Sequence, residues 1–186
     1  MQQARTSTSP AFEIQRAPAP AAEENALLDA AFGLQRRMKT SYRLREGAAP
    51  VAGLSYHARE VASRRLAGVI SFWPLRTWPD GVPALLLGPL AVHPDFQNAG
   101  LGGRLMHTGL NAAPEAGRGL VLLVGDMPYY GRYGFAPVPR GQLQLPGPFD
   151  PARLLYLELA AGALSEAHGL LLPEWRFEQL AARGED

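Results

Sequence analysis

The chain contains no cysteine. That excludes disulfides, thiolate metal sites and a cysteine nucleophile, and it suits a reducing compartment, so a cytoplasmic protein is expected. Lysine is nearly missing as well: Lys39 is the sole lysine among 18 basic residues. Set against 17 acids these leave a net charge of +1, which points away from nucleic acid or a membrane surface as the main partner. The four histidines, His57, His93, His107 and His168, are scattered without HExxH or other metal spacing, so no metal is expected. The opening "MQQARTSTSPAF" has no apolar core of a signal peptide, and no run approaches the length of a transmembrane helix.

Apolar residues make up 47% of the 186 positions, enough for one domain with a sizeable core. Residues 1–10 are polar and read as a flexible N-terminal tail, residues 11–165 as a single domain, and residues 166–186 as a C-terminal extension or tail. "AFEIQRA" at 11–17 alternates as a half-buried strand does. In the segment 18–39, Leu27, Leu28, Ala31, Phe32 and Met38 recur at helical spacing, and Gly33 divides the run. Residues 51–60 and 64–73 read as a hairpin, and 84–92 as the next strand. A helix at 101–113 carries Leu101, Leu105, Gly109 and Ala112 on one face. "GLVLLV" at 119–124 has the continuous apolar character of a buried central strand, and "RLLYLEL" at 153–159 is the last clear one. Phe72, Trp73 and Trp78 read as core packing, with an aromatic wall of a binding pocket as the alternative. The order describes a mixed α/β sheet with helices distributed over it.

One stretch stands apart. "LLLGPLAVHPDFQNAGLGGRLM", residues 85–106, places Gly100, Gly102 and Gly103 at the start of a helix. Each glycine costs about 0.8–1 kcal/mol of helix propensity relative to alanine, so bare backbone there needs a reason. The first N–H groups of a helix have no internal partner and carry partial positive charge. Without Cβ atoms in the way they suit a phosphate. No lysine completes a Walker loop, and the glycine spacing does not suit a dinucleotide fold. A tight, closely packed strand-to-helix turn remains the alternative.

The flanks extend the pattern. "LAVHPDFQNAGLGGRLM" resembles the acetyl-CoA-binding segment of the GNAT superfamily of N-acetyltransferases: a strand ending in V-x-P, then Q/R-x-x-G-x-G/A, then a helix. Gln97, Gly100 and Gly102 match, while the frequent arginine before the first glycine is Ala99 here. "YYGRYGF" at 129–135 resembles the family's "FYEKLGF" box, with Tyr130 at its tyrosine. The resemblance extends over most of the chain and is strongest to bacterial N-acetyltransferases with a GPLAV…QxxGxG…YYxRxGF pattern.

The resemblance implies a GNAT acyl-CoA N-acyltransferase fold, with a twisted mixed sheet of about six to seven strands, helices on both faces and a bulged central strand. Gly88-Pro89 would form that bulge and open the strand for pantetheine, which Leu90, Ala91 and Val92 would face. Backbone N–H groups of Gln97, Asn98, Ala99, Gly100, Leu101, Gly102 and Gly103 would hold the diphosphate. The implied reaction is direct attack of a primary amine on acetyl-CoA, with no metal. An N–H near Leu90 would serve the oxyanion, and Tyr130 would be the general acid for the departing thiolate. Tyr129 is its neighbouring alternative. Asp126 reads either as a partner of the pantetheine amides or as a helix N-cap. Many relatives place a glutamate on the central strand, where this chain has Leu85-Leu86-Leu87. Deprotonation of the amine is then left to water, His57 or Glu60. The missing carboxylate also keeps open a catalytically weak acyl-CoA-binding regulatory protein. The acceptor, a small molecule or peptide, is not legible. A homodimer is common among similar proteins.

Overall fold

The computed structural model describes residues 10–38 and 40–184. The expected tail therefore lies outside the described residues, Pro10 excepted. In chain order the elements are β1 (Phe12–Gln15), α1 (Ala21–Phe32), α2 (Thr40–Arg43), β2 (Ser55–Glu60), β3 (Leu66–Trp78) and β4 (Pro83–Val92). There follow α3 (Leu101–Ala112), β5 (Leu120–Val124), α4 (Met127–Tyr130), β6 (Ala136–Pro137), β7 (Leu143–Gln144) and β8 (Leu154–Glu158). The chain ends in α5 (Ala163–Glu166), β9 (Gly169–Pro173) and α6 (Glu174–Arg183).

The nine strands form one mixed sheet in the order β1-β2-β3-β4-β5-β8-β6, with β9 on β3 and β7 on β9. This is the mixed α/β architecture expected, with more strands than expected. The additions are the two-residue β6 and β7 and the strand β9, all too short or too poorly bounded to show a period. Residues 166–186, expected as an extension or tail, thus include a strand paired to β3 over four residues and a ten-residue helix.

β3 runs five residues past the expected end at Trp73, through Pro74, a residue that usually ends a strand. One edge of β3 lies along β4 from Gly68 to Arg76. Its other edge is shared: β2 pairs up to Ser71, and β9 begins at Leu75. Phe72 exchanges bonds with the chain on that second edge, its N–H donating to the Leu54 carbonyl. By strand alternation Pro74 faces the same edge, in the gap between β2 and β9, where no ladder N–H is required.

Alternation along β3 and β4 also fixes the two faces. Ile70, Phe72, Leu85 and Leu87 pack beneath the α3 residues Leu101, Leu105 and Met106. Val69 and Ala91 face the other way, onto Leu27 and Leu28 of α1. α3 sits close because Gly109 lies against the Phe72 ring, where a Cβ would come within 2.6 Å of it. Of the apolar positions at helical spacing in 27–38, Leu27 and Leu28 are buried. Phe32 and Met38 are exposed, because α1 ends at Phe32 and Gly33, at φ 78°, turns the chain into a short 3-10 segment.

Candidate active site

The site begins with a fault in the sheet. β4 pairs with β5 in parallel at Leu85 and Leu86 only. Along β3, Ile70 faces Leu90 while Phe72 faces Leu87, so three residue steps on β4 match two on β3. The extra residue is a bulge at Gly88-Pro89. Gly88 takes φ 142°, a value that L side chains rarely adopt, and Trp73 Nε1 donates to its carbonyl at 2.6 Å. Past the bulge β4 stays on β3 and leaves β5. The His93 N–H donates to the Ala67 carbonyl on the β3 side. Alternation then turns the backbone groups of Ala91 to β3 and those of Leu90 and Val92 to the edge that β5 has vacated.

The glycine turn lies at the mouth of this split. Gly100, at φ 74°, is the left-handed residue that precedes α3, a conformation costing other residues about 1–2 kcal/mol. The N–H groups of Asn98 through Gly103 donate to no acceptor among the described residues, while that of Gln97 is bonded to the Pro94 carbonyl. Free donors at a helix start are of the kind that suits an anion.

A cavity of about 680 Å³ connects the turn to the split. Its lining includes Leu90, Ala91, Val92, Gln97, Asn98, Gly100, Leu101, Gly102 and Gly103. Ala99 is not among them, because its methyl packs against the core cluster under α3. Arg132 lines the same cavity, donates Nε to the Tyr129 carbonyl at 3.2 Å, and makes no ion pair with a described carboxylate. A second cavity of about 190 Å³ opens on the other side of the split. Phe32, Leu90, Asp126 and Tyr130 line both.

Tyr130 therefore stands at the junction. Its ring is clamped by Tyr129 (centroids 4.9 Å) and Phe135 (6.0 Å). It also lies directly on Gly125, where a Cβ would overlap it. Burial, with the charge of Asp126 adding to it, pushes the Tyr130 phenol up to about 12. Tyr129 is raised further, chiefly by burial, and its hydroxyl turns to Gly102, where a Cβ would lie 3.0 Å away. Asp126 does occupy the N-cap position of α4, but its side chain caps nothing. It pairs instead with Arg153, Nε to Oδ1 at 3.1 Å.

Neither expected base reaches the site. The His57 ring is buried and its Nδ1 lies 2.9 Å from the Ala17 carbonyl, holding the chain before α1. Glu60 accepts from the Ser63 N–H in the β2–β3 turn. Leu85, Leu86 and Leu87 are buried, and Asp126 is the one carboxylate on either cavity among the described residues. Sequence reasoning passed over Gly125, Arg132 and Arg45. Gly125 carried a signal, a glycine directly after a buried strand and before the tyrosine pair. The others are brought in by tertiary structure.

The bulged strand parted from a parallel neighbour, the helix start with free N–H groups at its mouth and the phenol beside it stand where the resemblance to GNAT acetyltransferases implies a co-substrate site. The chain belongs to the Acetyltransferase (GNAT) family, whose model matches residues 19–135, more than half of its length. It is 27% identical over 147 residues to the uncharacterized N-acetyltransferase YhbS of Escherichia coli, spanning 79% of this chain and 86% of that protein. Over 64 residues it is 41% identical to the E. coli N-acetyltransferase YjhQ, a match covering about a third of either chain. The crystal structure of E. coli YhbS in complex with CoA superposes with a TM-score of 0.72 at 24% identity, covering 95% of this chain and 96% of that one. A GNAT acetyltransferase from Brucella melitensis in complex with acetyl-CoA gives 0.60 at 27% identity, over 81% and 89%.

Proposed function

We propose that the chain transfers the acetyl group of acetyl-CoA to a primary amine by direct attack. One observation carries this reading: five residues with free N–H donors, Asn98 and Gly100 to Gly103, and a parted strand edge line the same cavity as Tyr130. The residues fit the co-substrate. The donors of Asn98–Gly103 and the guanidinium of Arg132 suit its phosphates, and Gly100 leaves them open, since a Cβ there would meet nothing within 4 Å. The outward backbone groups of Leu90 and Val92 suit the pantetheine amides, as an added strand does. Bound acetyl-CoA supplies an acetyl thioester, already activated for transfer to nitrogen.

The chain's own groups then act at that point. The Leu90 N–H, fixed by the bulge, is aimed at the negative charge that develops on the carbonyl oxygen. The Tyr130 hydroxyl keeps its proton through the neutral range and donates to the departing sulfur. With its pKa about 12, well above a thiol's value of about 8.5, it stabilises the sulfur by hydrogen bonding, and solvent completes the protonation. Asp126 is engaged by Arg153, so the amine gives its proton to water.

The lack of a carboxylate on β4 favours a second reading, an acyl-CoA-binding regulatory protein with weak catalysis. The two separate in an assay of CoA thiol release over a panel of amines. The enzyme reading predicts turnover with at least one amine and a loss of about 10²-fold or more in kcat for Tyr130→Phe. No release with any amine, together with no effect of Tyr130→Phe, would establish the binding protein instead.

A further inference from the structure

The smaller cavity is where the proposed reaction leaves room for the acceptor. One wall is strand, at Leu86, Leu87 and the bulge; the other comes from the segment after α1, with Arg36, Tyr42 and Arg45, and Arg153, just before β8, is the third arginine of the lining. Two of the three are occupied. Arg36 donates Nε to Asp29 at 2.7 Å, Nη1 to the Tyr42 hydroxyl at 2.7 Å and Nη2 to Asn25 at 2.9 Å. Arg153 is paired with Asp126.

Arg45 is different. Its Nε reaches the Ser41 carbonyl at 3.4 Å, and its guanidinium lies over the Tyr42 ring at 3.9 Å and near the Trp73 ring at 5.8 Å. No described carboxylate stands within ion-pair distance of it; Glu24 acts on it only from farther away. Burial lowers its pKa, against the smaller opposing pull of the Tyr42 hydroxyl and of Glu24. Such a group gains from an anion that can reach its fork.

Its position is built from both sides. Trp73 is anchored to the bulge through the Gly88 carbonyl, and Tyr42 is anchored to α1 through Arg36. The guanidinium is thereby held in the same small chamber as Leu90 and Tyr130.

We propose that the acceptor is a small amine carrying an anionic group, a carboxylate or a phosphate, which Arg45 binds while the amine lies at the Leu90–Tyr130 junction. With Arg36 and Arg153 held by Asp29 and Asp126, Arg45 is the one of the three left without an ion pair among the described residues, which favours an anionic group over a second cation, and about 190 Å³ is below the usual range for drug-sized ligands. The proposal rests on the acetyl-CoA reading of the larger cavity. In the step itself the amine nitrogen forms the C–N bond as the C–S bond breaks, its electron pair leaving on sulfur. The nitrogen loses one proton to solvent, and sulfur gains one from solvent to become the thiol.

The test uses matched pairs on the full chain: α-amino acids against their amides, and phosphoethanolamine against ethanolamine, with CoA thiol release as the readout. The expected result is a preference of about tenfold or more in kcat/KM for an anionic member over its neutral partner. Arg45→Gln should erase that preference through the acceptor KM, with the KM for acetyl-CoA unchanged, and Arg45→Lys should restore part of it. Equal or inverted preference in the wild type overturns the proposal, as does a preference that survives in Arg45→Gln. If no amine turns over, N-acetylglycine and N-acetylglycinamide are titrated into protein saturated with CoA. Tighter binding of the carboxylate supports the assignment; equal binding, or none, overturns it. Failure to bind acetyl-CoA or CoA at all defeats the reading on which the proposal rests, a result separable from the others.

Discussion

Tyr130 owes its place to an atom that Gly125 lacks. A methyl group there would occupy the space of the ring, so Gly125→Ala must push the phenol toward the cavity or strain the turn before α4. The expected result is a fall in kcat close to that of Tyr130→Phe, with a stability loss of about 1–3 kcal/mol measured by denaturant unfolding. The pKa of Tyr130 makes a second prediction. The phenol works protonated, and burial and Asp126 raise it to about 12. Activity of the wild type should therefore rise with pH as the amine loses its proton, and no descending limb should appear below about pH 11. Asp126→Asn removes a negative charge that holds the phenol up and leaves Arg153 beside it. The descending limb of a kcat–pH profile should then move to lower pH. An unmoved profile would count against Tyr130 as the donor.

At the scale of elements, the glycine turn was legible from local chemistry, whereas the split strand was legible only through the family resemblance. Gly88-Pro89 by itself reads as readily as an ordinary edge kink, while a glycine cluster at a helix start points to bare donors or a tight turn. The face of α3 was equally legible, since helical spacing of Leu101, Leu105, Gly109 and Ala112 needs no partner to be read. The passage of β3 through Pro74 was not, because it depends on a gap between β2 and β9 that only the assembled sheet creates. Nor was the setting of Arg45, because Trp73, which flanks it together with the neighbouring Tyr42, is distant in sequence and joined by packing. The C-terminal elements were obscure for the same reason. α6 is tied down by Glu174, which receives Arg118 at 2.8 and 2.9 Å and Arg76 at 2.9 Å, all partly buried. Glu174→Ala strands two guanidiniums against β3. It should cost about 2 kcal/mol of unfolding free energy, toward the lower end of the range for broken buried pairs because the groups retain some solvent. Acetyl-CoA affinity should be unaffected, since the network lies apart from the turn.

Across the whole molecule, the sheet is a frame that holds two chambers on either side of one fault. The larger holds the start of α3, where we propose that phosphate binds, the smaller holds Arg45, and Leu90 and Tyr130 line both. Membership of the GNAT family fixes the class of chemistry; the identity of the acceptor belongs to the smaller chamber and to this chain's own residues. The frame does not depend on a strand carboxylate, which is why Leu85-Leu86-Leu87 can fill the position where many relatives carry a base. The central claim is that the glycine turn and the split together bind acetyl-CoA, and calorimetric titration of acetyl-CoA into the wild-type chain and Gly100→Glu tests it most directly. The expected result is one site per chain, weakened about tenfold or more by a carboxylate placed among the N–H donors, with a melting temperature lowered by the strain of a side chain at φ 74° to the same extent as in a Gly100→Ala control that keeps more of the affinity. Absence of binding to the wild type, or equal affinity in the wild type and Gly100→Glu, would contradict it.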